Sequence, residues 1–144
     1  MTECQIPDIH PEDNEIDEIL QSMKTIAIVG LSDNDSRDSY KVAKYLKEKG
    51  FTIVPVNPSK QRILGEPCYP DLLSIPMPVD IVDVFRKTEA IPGIADEALQ
   101  IRPKVFWLQL GLTHNETAKK LRCEGIQVIQ SRCLKIEHRR FYNN

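Results

Sequence analysis

The sequence predicts an α/β fold, a three-layer sandwich in which a five-stranded parallel sheet carries helices on both faces. Five short apolar runs, the first from Ile26 to Val29, alternate with amphipathic stretches of helical period. Runs that are apolar on both faces are typical of strands buried inside a parallel sheet. Strands that alternate with helices favour parallel pairing through crossover connections.

The predicted elements follow one another without a linker, an internal repeat or a low-complexity segment. The first helix opens at Pro11 and carries one apolar stripe, formed by Ile16, Ile19, Leu20 and Met23. Further helices are predicted over 39–49, 71–75, 88–102, 115–124 and 133–141, and strands over 26–29, 51–56, 81–85, 105–110 and 126–129. Residues 1–11 are expected to form a loose arm of a single domain that spans 1–144.

The strand order predicted from right-handed crossovers is 3-2-1-4-5, with the strands numbered along the chain. Ligands of such sheets bind beyond the carboxyl ends of the strands, here at the switch between strands 1 and 4. The strand tips that border this edge are expected at 30–32, 57–60, 85–87, 109–111 and 130–133.

The loop after the first strand has the composition of a phosphate site. Gly30 ends the strand, and small and polar residues lead to a helix that begins near Ser39. Backbone N–H groups and the positive helix N-terminus attract phosphate. Because glycine lets the backbone approach a ligand, Gly30→Val is expected to block binding and leave the fold largely intact. The G-x-G-x-x-G fingerprint is incomplete, and Asn57 stands where that fingerprint needs an acid. A βα turn that binds nothing is the alternative interpretation.

Composition and charge exclude several classes of function. The chain has 144 residues, 41% of them hydrophobic, and a formal net charge of −2. No overall field therefore attracts nucleic acid or anionic lipid, and no apolar run approaches the roughly 20 residues of a membrane span. The N-terminus lacks the features of a secretory signal, and the four cysteines lack metal-ligand spacing. We expect a cytoplasmic protein with reduced thiols, no metal, and no nucleic-acid or membrane partner.

Five motifs occur together in order along the chain. They are VGLSDNDSRDSYKVAKYLKEKGFTIVPVNP, LGEPCYPDLLSIP, VDIVDVFR, VFWLQLG and RCLKIEH. With these motifs the chain resembles the small single-domain CoA-binding proteins. Those are similar to the CoA-binding domain of succinyl-CoA synthetase alpha subunits and of ADP-forming acyl-CoA synthetases. The resemblance covers residues 12–141 and implies a Rossmann-like fold that binds coenzyme A (CoA).

The resemblance also implies which residues face CoA. The loop after the first strand would hold the phosphates with Gly30, Leu31, Ser32, Arg37, Ser39 and Tyr40. The segment after the second strand would follow the adenosine part with Asn57, Pro58 and Lys60. The next two strand tips would approach the pantetheine arm with Phe85, Arg86, Gln109, Leu110 and Gly111. The phosphorylated histidine and nucleotide-grasping domain of the larger synthetases have no counterpart in this chain, so the resemblance supports binding and not ligase activity.

Positive groups and one thiol stand out on the predicted ligand edge. Arg37 and Arg86 occupy loop positions, where a guanidinium suits phosphate, whereas Lys41 fits an ordinary surface charge. Cys133 follows the fifth strand, and Arg132 and His138 would favour its thiolate. A mixed disulfide between Cys133 and CoA is one interpretation, and an inert half-buried side chain is the other.

Two other functions stay open from the sequence. An NAD(P)-linked oxidoreductase would share the fold. A regulatory subunit of an acyl-CoA enzyme would use the acidic N-terminal helix and the basic C-terminal stretch as surfaces. A homo-oligomer is compatible with each function. No catalytic residue is predicted, because neither a nucleophile elbow nor a Walker loop occurs.

Overall fold

The computed structural model describes residues 13–142, which contain a central parallel sheet and two layers of helices. The predicted arm, residues 1–11, lies outside the described residues. Five strands form the central sheet: β1 (Thr25–Val29), β2 (Thr52–Val56), β5 (Ile81–Val84), β6 (Val105–Leu108) and β7 (Gln127–Ile129). Every pair of neighbouring strands in this sheet is parallel, so the predicted Rossmann-like α/β fold is confirmed.

The helices begin and end within a few residues of their predicted positions. They are α1 (Asp13–Ser22), α2 (Asp38–Glu48), α3 (Ile91–Ile101), α4 (Asn115–Cys123) and α5 (Leu134–Tyr142). Two short 3-10 helices cover Leu72–Ser74 and Thr88–Ala90. None of the helices in the described part of the chain is long and apolar enough to cross a membrane.

The core has one layer on each face of the sheet. Helices α1, α2 and α5 cover one face with residues such as Ile16, Leu46 and Leu134. Helices α3 and α4 cover the other face. Successive strand residues point to opposite faces, and accordingly Phe106 and Trp107 belong to different layers, both with 0% exposure.

The observed strand order is β2-β1-β5-β6-β7, which corrects the predicted order. The third central strand lies beside β1, not outside β2, so the order of the five central strands is 2-1-3-4-5. Right-handed crossovers permit both orders. The connection from β2 to β5 packs Leu72 on the face that α3 and α4 cover, and it therefore crosses the sheet in the same direction as those helices.

A small hairpin after β2 explains why no central strand lies outside β2 at its carboxyl end. The hairpin consists of β3 (Arg62–Ile63) and β4 (Glu66–Pro67), and none of the strands predicted from the sequence covers it. Beyond it, the N–H of Tyr69 donates to the carbonyl of Pro55 at 3.0 Å, and the N–H of Asn57 donates to the carbonyl of Tyr69 at 2.9 Å. These hydrogen bonds occupy the outer edge of β2.

Candidate functional site

The observed order moves the switch point to the gap between β1 and β5. The chain leaves β1 in one direction across the sheet and leaves β5 in the other. Gly30 at the tip of β1 therefore lies beside Phe85 at the tip of β5, and the N–H of Phe85 donates to the carbonyl of Val29 at 2.8 Å. The ligand edge of an open parallel sheet lies at such a crevice.

Gly30 is required by the neighbouring strand and not only by a ligand. Its φ is 86°, in the left-handed region that favours glycine. A Cβ at this position would overlap the carbonyl oxygen of Phe85 and would lie 2.8 Å from Cδ of Arg86. The expectation that Gly30→Val leaves the fold largely intact is therefore wrong, because the added side chain meets the backbone of a neighbouring tip.

The loop between β1 and α2 is braced by its own side chains. The N–H of Ser32 donates to Oγ of Ser39 at 3.0 Å, and the N–H of Asn34 donates to Oγ of Ser32 at 3.0 Å. The exposed Arg37 precedes α2 and makes no side-chain cap. A depression of about 560 Å³, here called the loop pocket, is lined by Gly30, Ser32, Ser36, Arg37, Asp38, Ser39 and Phe85. This pocket joins serine hydroxyls to a helix N-terminus, the surroundings that suit an anion.

Two of the predicted phosphate-loop residues turn their side chains toward the core. Leu31 has 0% exposure and packs in the layer beneath α2. Tyr40 is partly buried and packs against the same layer. Neither residue lines the loop pocket, so any contact with a ligand at this pocket would come from the backbone.

Asn57 joins the loops that follow β1 and β2. Its Nδ2 donates to the carbonyl of Leu31 at 3.0 Å, and its Oδ1 accepts from the N–H and the hydroxyl of Ser59, both at 2.9 Å. Lys60 pairs with Asp33 at 3.0 Å across the same two loops. The amide of Asn57 is therefore committed to bracing the loops.

A smaller depression lies on the other side of Gly30. This small pocket, of about 170 Å³, is bordered by Pro58 after β2 and by Arg86 after β5. The carboxylates of Asp71 and Glu97 also line it, and Glu97 accepts the N–H of Leu72 at 2.8 Å. Pro58 is thus the residue of the predicted adenosine segment that borders a cavity.

The largest of these depressions, here called the main cleft, has a volume of about 640 Å³ between the tips of β5 and β6 and the helices α2 and α5. It brings together five of the predicted site residues: Phe85, Arg86, Gln109, Leu110 and Cys133. The remaining lining residues are Asp38, Lys41, Val42, Lys87, Leu112, Lys135, Ile136 and Arg139. The predicted Gly111 does not line the cleft, and its N–H donates to Oγ of Ser131 at 3.0 Å.

Sequence reasoning missed the α5 side of the main cleft. The cleft is lined on this side by Lys135, Ile136 and Arg139, which lie within about one turn of the helix. Ile136 is 48% exposed. An exposed isoleucine beside two basic residues on the last helix was the available signal. This signal points to the cleft only when it is known that α5 lies against the ligand edge of the sheet.

A buried carboxyl group lies beneath the main cleft. Asp83 in β5 has 0% exposure, and Nε2 of Gln109 donates to its Oδ1. Within residues 13–142, Oδ2 of Asp83 has no hydrogen-bond partner. Burial raises the pKa of Asp83 to about 8, and the hydrogen bond from Gln109 opposes this rise. The signal in the sequence was an aspartate inside an apolar strand, which we did not interpret.

The segment that enters α5 is fixed by the core. Nε1 of Trp107 donates to the carbonyl of Arg132 at 2.7 Å, and the carbonyl of Cys133 accepts the N–H of Glu137 at 2.9 Å. Arg132 is paired with Glu137 at 3.3 Å. His138 hydrogen-bonds the hydroxyl of Tyr45 through Nδ1 at 2.8 Å. The two groups expected to favour the Cys133 thiolate are thus engaged with other residues.

The cysteines differ from the predicted uniform set of reduced thiols. Cys68 and Cys133 are free, whereas Cys123 is disulfide-bonded, so that prediction is wrong for Cys123. Within the described part of the chain, no three side chains of histidine, cysteine, aspartate or glutamate group in a way that could hold a metal ion.

The fold and the cleft define a class of protein: a parallel α/β domain with a basic, partly apolar crevice at the carboxyl edge of its sheet. The family model described as CoA binding domain matches residues 24–139. This chain belongs to that family.

Relatives and solved structures agree with this assignment. A Bacillus subtilis (strain 168) protein called uncharacterized protein YneT is 43% identical over 129 residues, which cover 90% of this chain and 96% of that protein. ADP-forming acetate–CoA ligase I of Archaeoglobus fulgidus is 32% identical over 74 residues, 51% of this chain but 11% of the ligase.

Among solved structures, a hypothetical protein from Pyrococcus horikoshii OT3 superposes with a TM-score of 0.89 at 37% identity, covering 96% of this chain and 98% of that one. A protein from Thermus thermophilus superposes with a TM-score of 0.88 at 40% identity, covering 92% of this chain and 100% of that one.

Proposed function

We propose that this chain binds CoA or an acyl-CoA along the carboxyl edge of its sheet. The observation that carries the proposal is the continuity of the three depressions. The loop pocket and the small pocket share Gly30, the small pocket and the main cleft share Arg86, and the loop pocket and the main cleft share Phe85. A long ligand with chemically different parts suits three adjoining depressions of this kind.

The chemistry of each depression suits one part of CoA. The diphosphate would lie at the loop pocket, where Arg37 and the first turn of α2 offer positive charge and N–H groups. The adenosine part would follow Pro58 toward the small pocket. The pantetheine arm would enter the main cleft, where Leu110 is 67% exposed and Gln109 offers an amide.

The charge of the main cleft supports an anionic ligand at this edge of the sheet. Five basic side chains and one acidic side chain line it: Lys41, Arg86, Lys87, Lys135, Arg139 and Asp38. This excess occurs in a chain with a net charge of −2, so the cleft concentrates positive charge against the overall balance. The phosphates of CoA would lie beside this excess, at the loop pocket, which shares Phe85 and Asp38 with the main cleft. The proposal contains no catalytic step, and the matching segment of the acetate–CoA ligase is only a part of that enzyme.

Calorimetry of the purified protein with CoA tests the proposal. Binding in the micromolar range is expected, and no heat at millimolar CoA would overturn it. NADH and NADPH serve as comparison ligands, because tight NADH binding with no CoA binding would favour the oxidoreductase instead. Native mass spectrometry of the same sample would show any homo-oligomer.

Arginine variants test the arrangement of the ligand. Arg37→Ala and Arg86→Ala should each weaken CoA binding by about 1–3 kcal/mol, the range of a charge-assisted hydrogen bond. The exposed Lys44 lies outside the three depressions, and Lys44→Ala therefore controls for loss of one positive charge. With 3′-dephospho-CoA, the arginine that contacts the 3′-phosphate should show little further loss. If Lys44→Ala weakens binding as much as the two arginine variants, the proposed arrangement is wrong.

A further inference from the structure

Cys133 places a free thiol in the wall of the main cleft. It is partly buried, lies directly before α5, and borders the same space as Gln109 and Leu110. Its carbonyl accepts the N–H of Glu137 in the first turn of that helix. The thiol therefore lies beside the N-terminus of the nine-residue helix α5, the positive end of its dipole.

Gln109 gives independent evidence that this wall faces a ligand. Its side chain is 4% exposed and borders the cleft, and its Nε2 is used by Asp83. Within residues 13–142, Oε1 of Gln109 accepts no hydrogen bond. This oxygen is the unpartnered end of an otherwise buried side chain, and it is accessible at the wall of the cleft. The amide N–H groups of a pantetheine arm are donors that suit it. The thiol of CoA lies at the end of that arm.

Cys133 shares the main cleft with an excess of basic side chains. The basic side chains that line the cleft outnumber the acidic ones by five to one. Reactive cysteines occur in partly exposed, electropositive surroundings of this kind. Cys68, the other free thiol of the described chain, does not border the main cleft, and its Sγ lies 3.5 Å from the carbonyl oxygen of Asn57. Burial raises the pKa of the Cys68 thiol.

We propose that Cys133 forms a mixed disulfide with CoA by exchange with CoA disulfide, an inference that rests on the proposed function. The Cys133 thiolate attacks one sulfur of CoA disulfide, and a new bond forms between Sγ and that sulfur. The original S–S bond breaks, one CoA leaves as a thiolate, and that thiolate takes a proton from solvent. One disulfide is consumed and one is formed. A thiol reductant reverses the step, so the occupancy of the cleft follows the ratio of CoA disulfide to CoA.

Intact-mass spectrometry after treatment with CoA disulfide tests this inference. The expected product gains the mass of one CoA less two hydrogen atoms and loses it on addition of dithiothreitol. The adduct should be absent in Cys133→Ser and present in Cys68→Ser, the matched control for a free, partly buried thiol. An adduct that persists in Cys133→Ser, or no adduct on the unmodified chain, would overturn the inference.

Selectivity separates a CoA site from a merely accessible thiol. Binding before exchange should make CoA disulfide react at least about tenfold faster than glutathione disulfide, because binding raises the local concentration. Equal rates for the two disulfides would overturn the inference. Calorimetry with CoA in the presence of reductant separates the two proposals. Binding without a subsequent adduct would refute the mixed disulfide alone, whereas no binding at all would refute both.

Discussion

Replacing Asp83 by asparagine should change how the stability of this protein depends on pH. In the folded state burial raises the pKa of Asp83 from its ordinary 3.8 to about 8. Between these two values the folded protein binds a proton that the unfolded chain releases. The free energy of unfolding must therefore fall as pH rises, by up to about 1.4 kcal/mol for each pH unit. Asparagine has no such proton, and Asp83→Asn should lose this dependence.

The magnitude follows from the two pKa values. Between about pH 5.5 and about pH 8.5, ionisation of Asp83 should lower the free energy of unfolding of the unmodified protein by roughly 3 kcal/mol relative to Asp83→Asn. His138 acts in the opposite direction. Burial and the nearby Lys49 lower its pKa, so the contribution of this group to the free energy of unfolding decreases as pH falls. Both proteins contain His138, so the difference between them isolates Asp83.

Urea denaturation at several pH values measures this difference. Below the ordinary pKa of 3.8 the two proteins should differ by a constant that reflects the amide. From there to about pH 8 the variant should become progressively more stable relative to the unmodified protein, and above that the difference should level off. The exposed Asp35 provides the control, since Asp35→Asn makes the same substitution without touching the buried pair. Parallel curves for the unmodified protein and Asp83→Asn would refute the reasoning, and would mean that Asp83 ionises in the folded state as readily as in the unfolded chain.

Two further predictions concern the loops of the ligand edge. Gly30→Ala should lower the free energy of unfolding by about 1–3 kcal/mol more than Gly125→Ala, because both glycines have a φ of 86° but only at Gly30 would the new Cβ meet neighbouring atoms; equal losses in urea denaturation would contradict this. Asn57→Ala should cost about 1–3 kcal/mol, since the carbonyl of Leu31 loses its donor. It should also speed amide exchange in both loops, with Ser59→Ala as the milder control, and unchanged exchange in Asn57→Ala would argue against this brace.

Local patterns predicted the elements of this fold well. The apolar runs at Ile26 and Val105 identify strands because a strand that is buried on both faces needs an uninterrupted run of apolar residues. Helix ends were also predicted within a few residues: α4 starts at Asn115 as predicted, and His114 caps it by accepting the N–H of Thr117 at 3.2 Å. Such features depend on neighbours within one or two turns of the chain.

The strand order depended on contacts that no local pattern records. The hydrogen bonds between Tyr69 and the residues around β2 join positions more than ten residues apart and occupy the edge where another strand was predicted. Both candidate orders obey the same handedness rule. The order could be decided only by knowing which face Leu72 covers.

The candidate site was predicted only in part, because its geometry also depends on packing between distant parts of the chain. Phe85, Arg86, Gln109, Leu110 and Cys133 lie together because the carboxyl ends of parallel strands meet at one edge. Leu31 and Tyr40 share the sequence neighbourhood of the loop pocket but turn into the core, since position along a loop does not fix side-chain direction. Asp83 escaped notice because its significance lies in its burial beside Gln109, which is a property of the packed sheet.

The hydrogen bond from Trp107 to the carbonyl of Arg132 gives this protein a built-in optical probe. The chain has a single tryptophan, and its indole ring has 0% exposure. Its N–H is tied to the residue immediately before Cys133. Indole emission shifts to longer wavelength when water reaches the ring, so the colour of the fluorescence reports whether the segment entering α5 stays in place. Events at this edge of the sheet can therefore be followed in real time without attaching a dye.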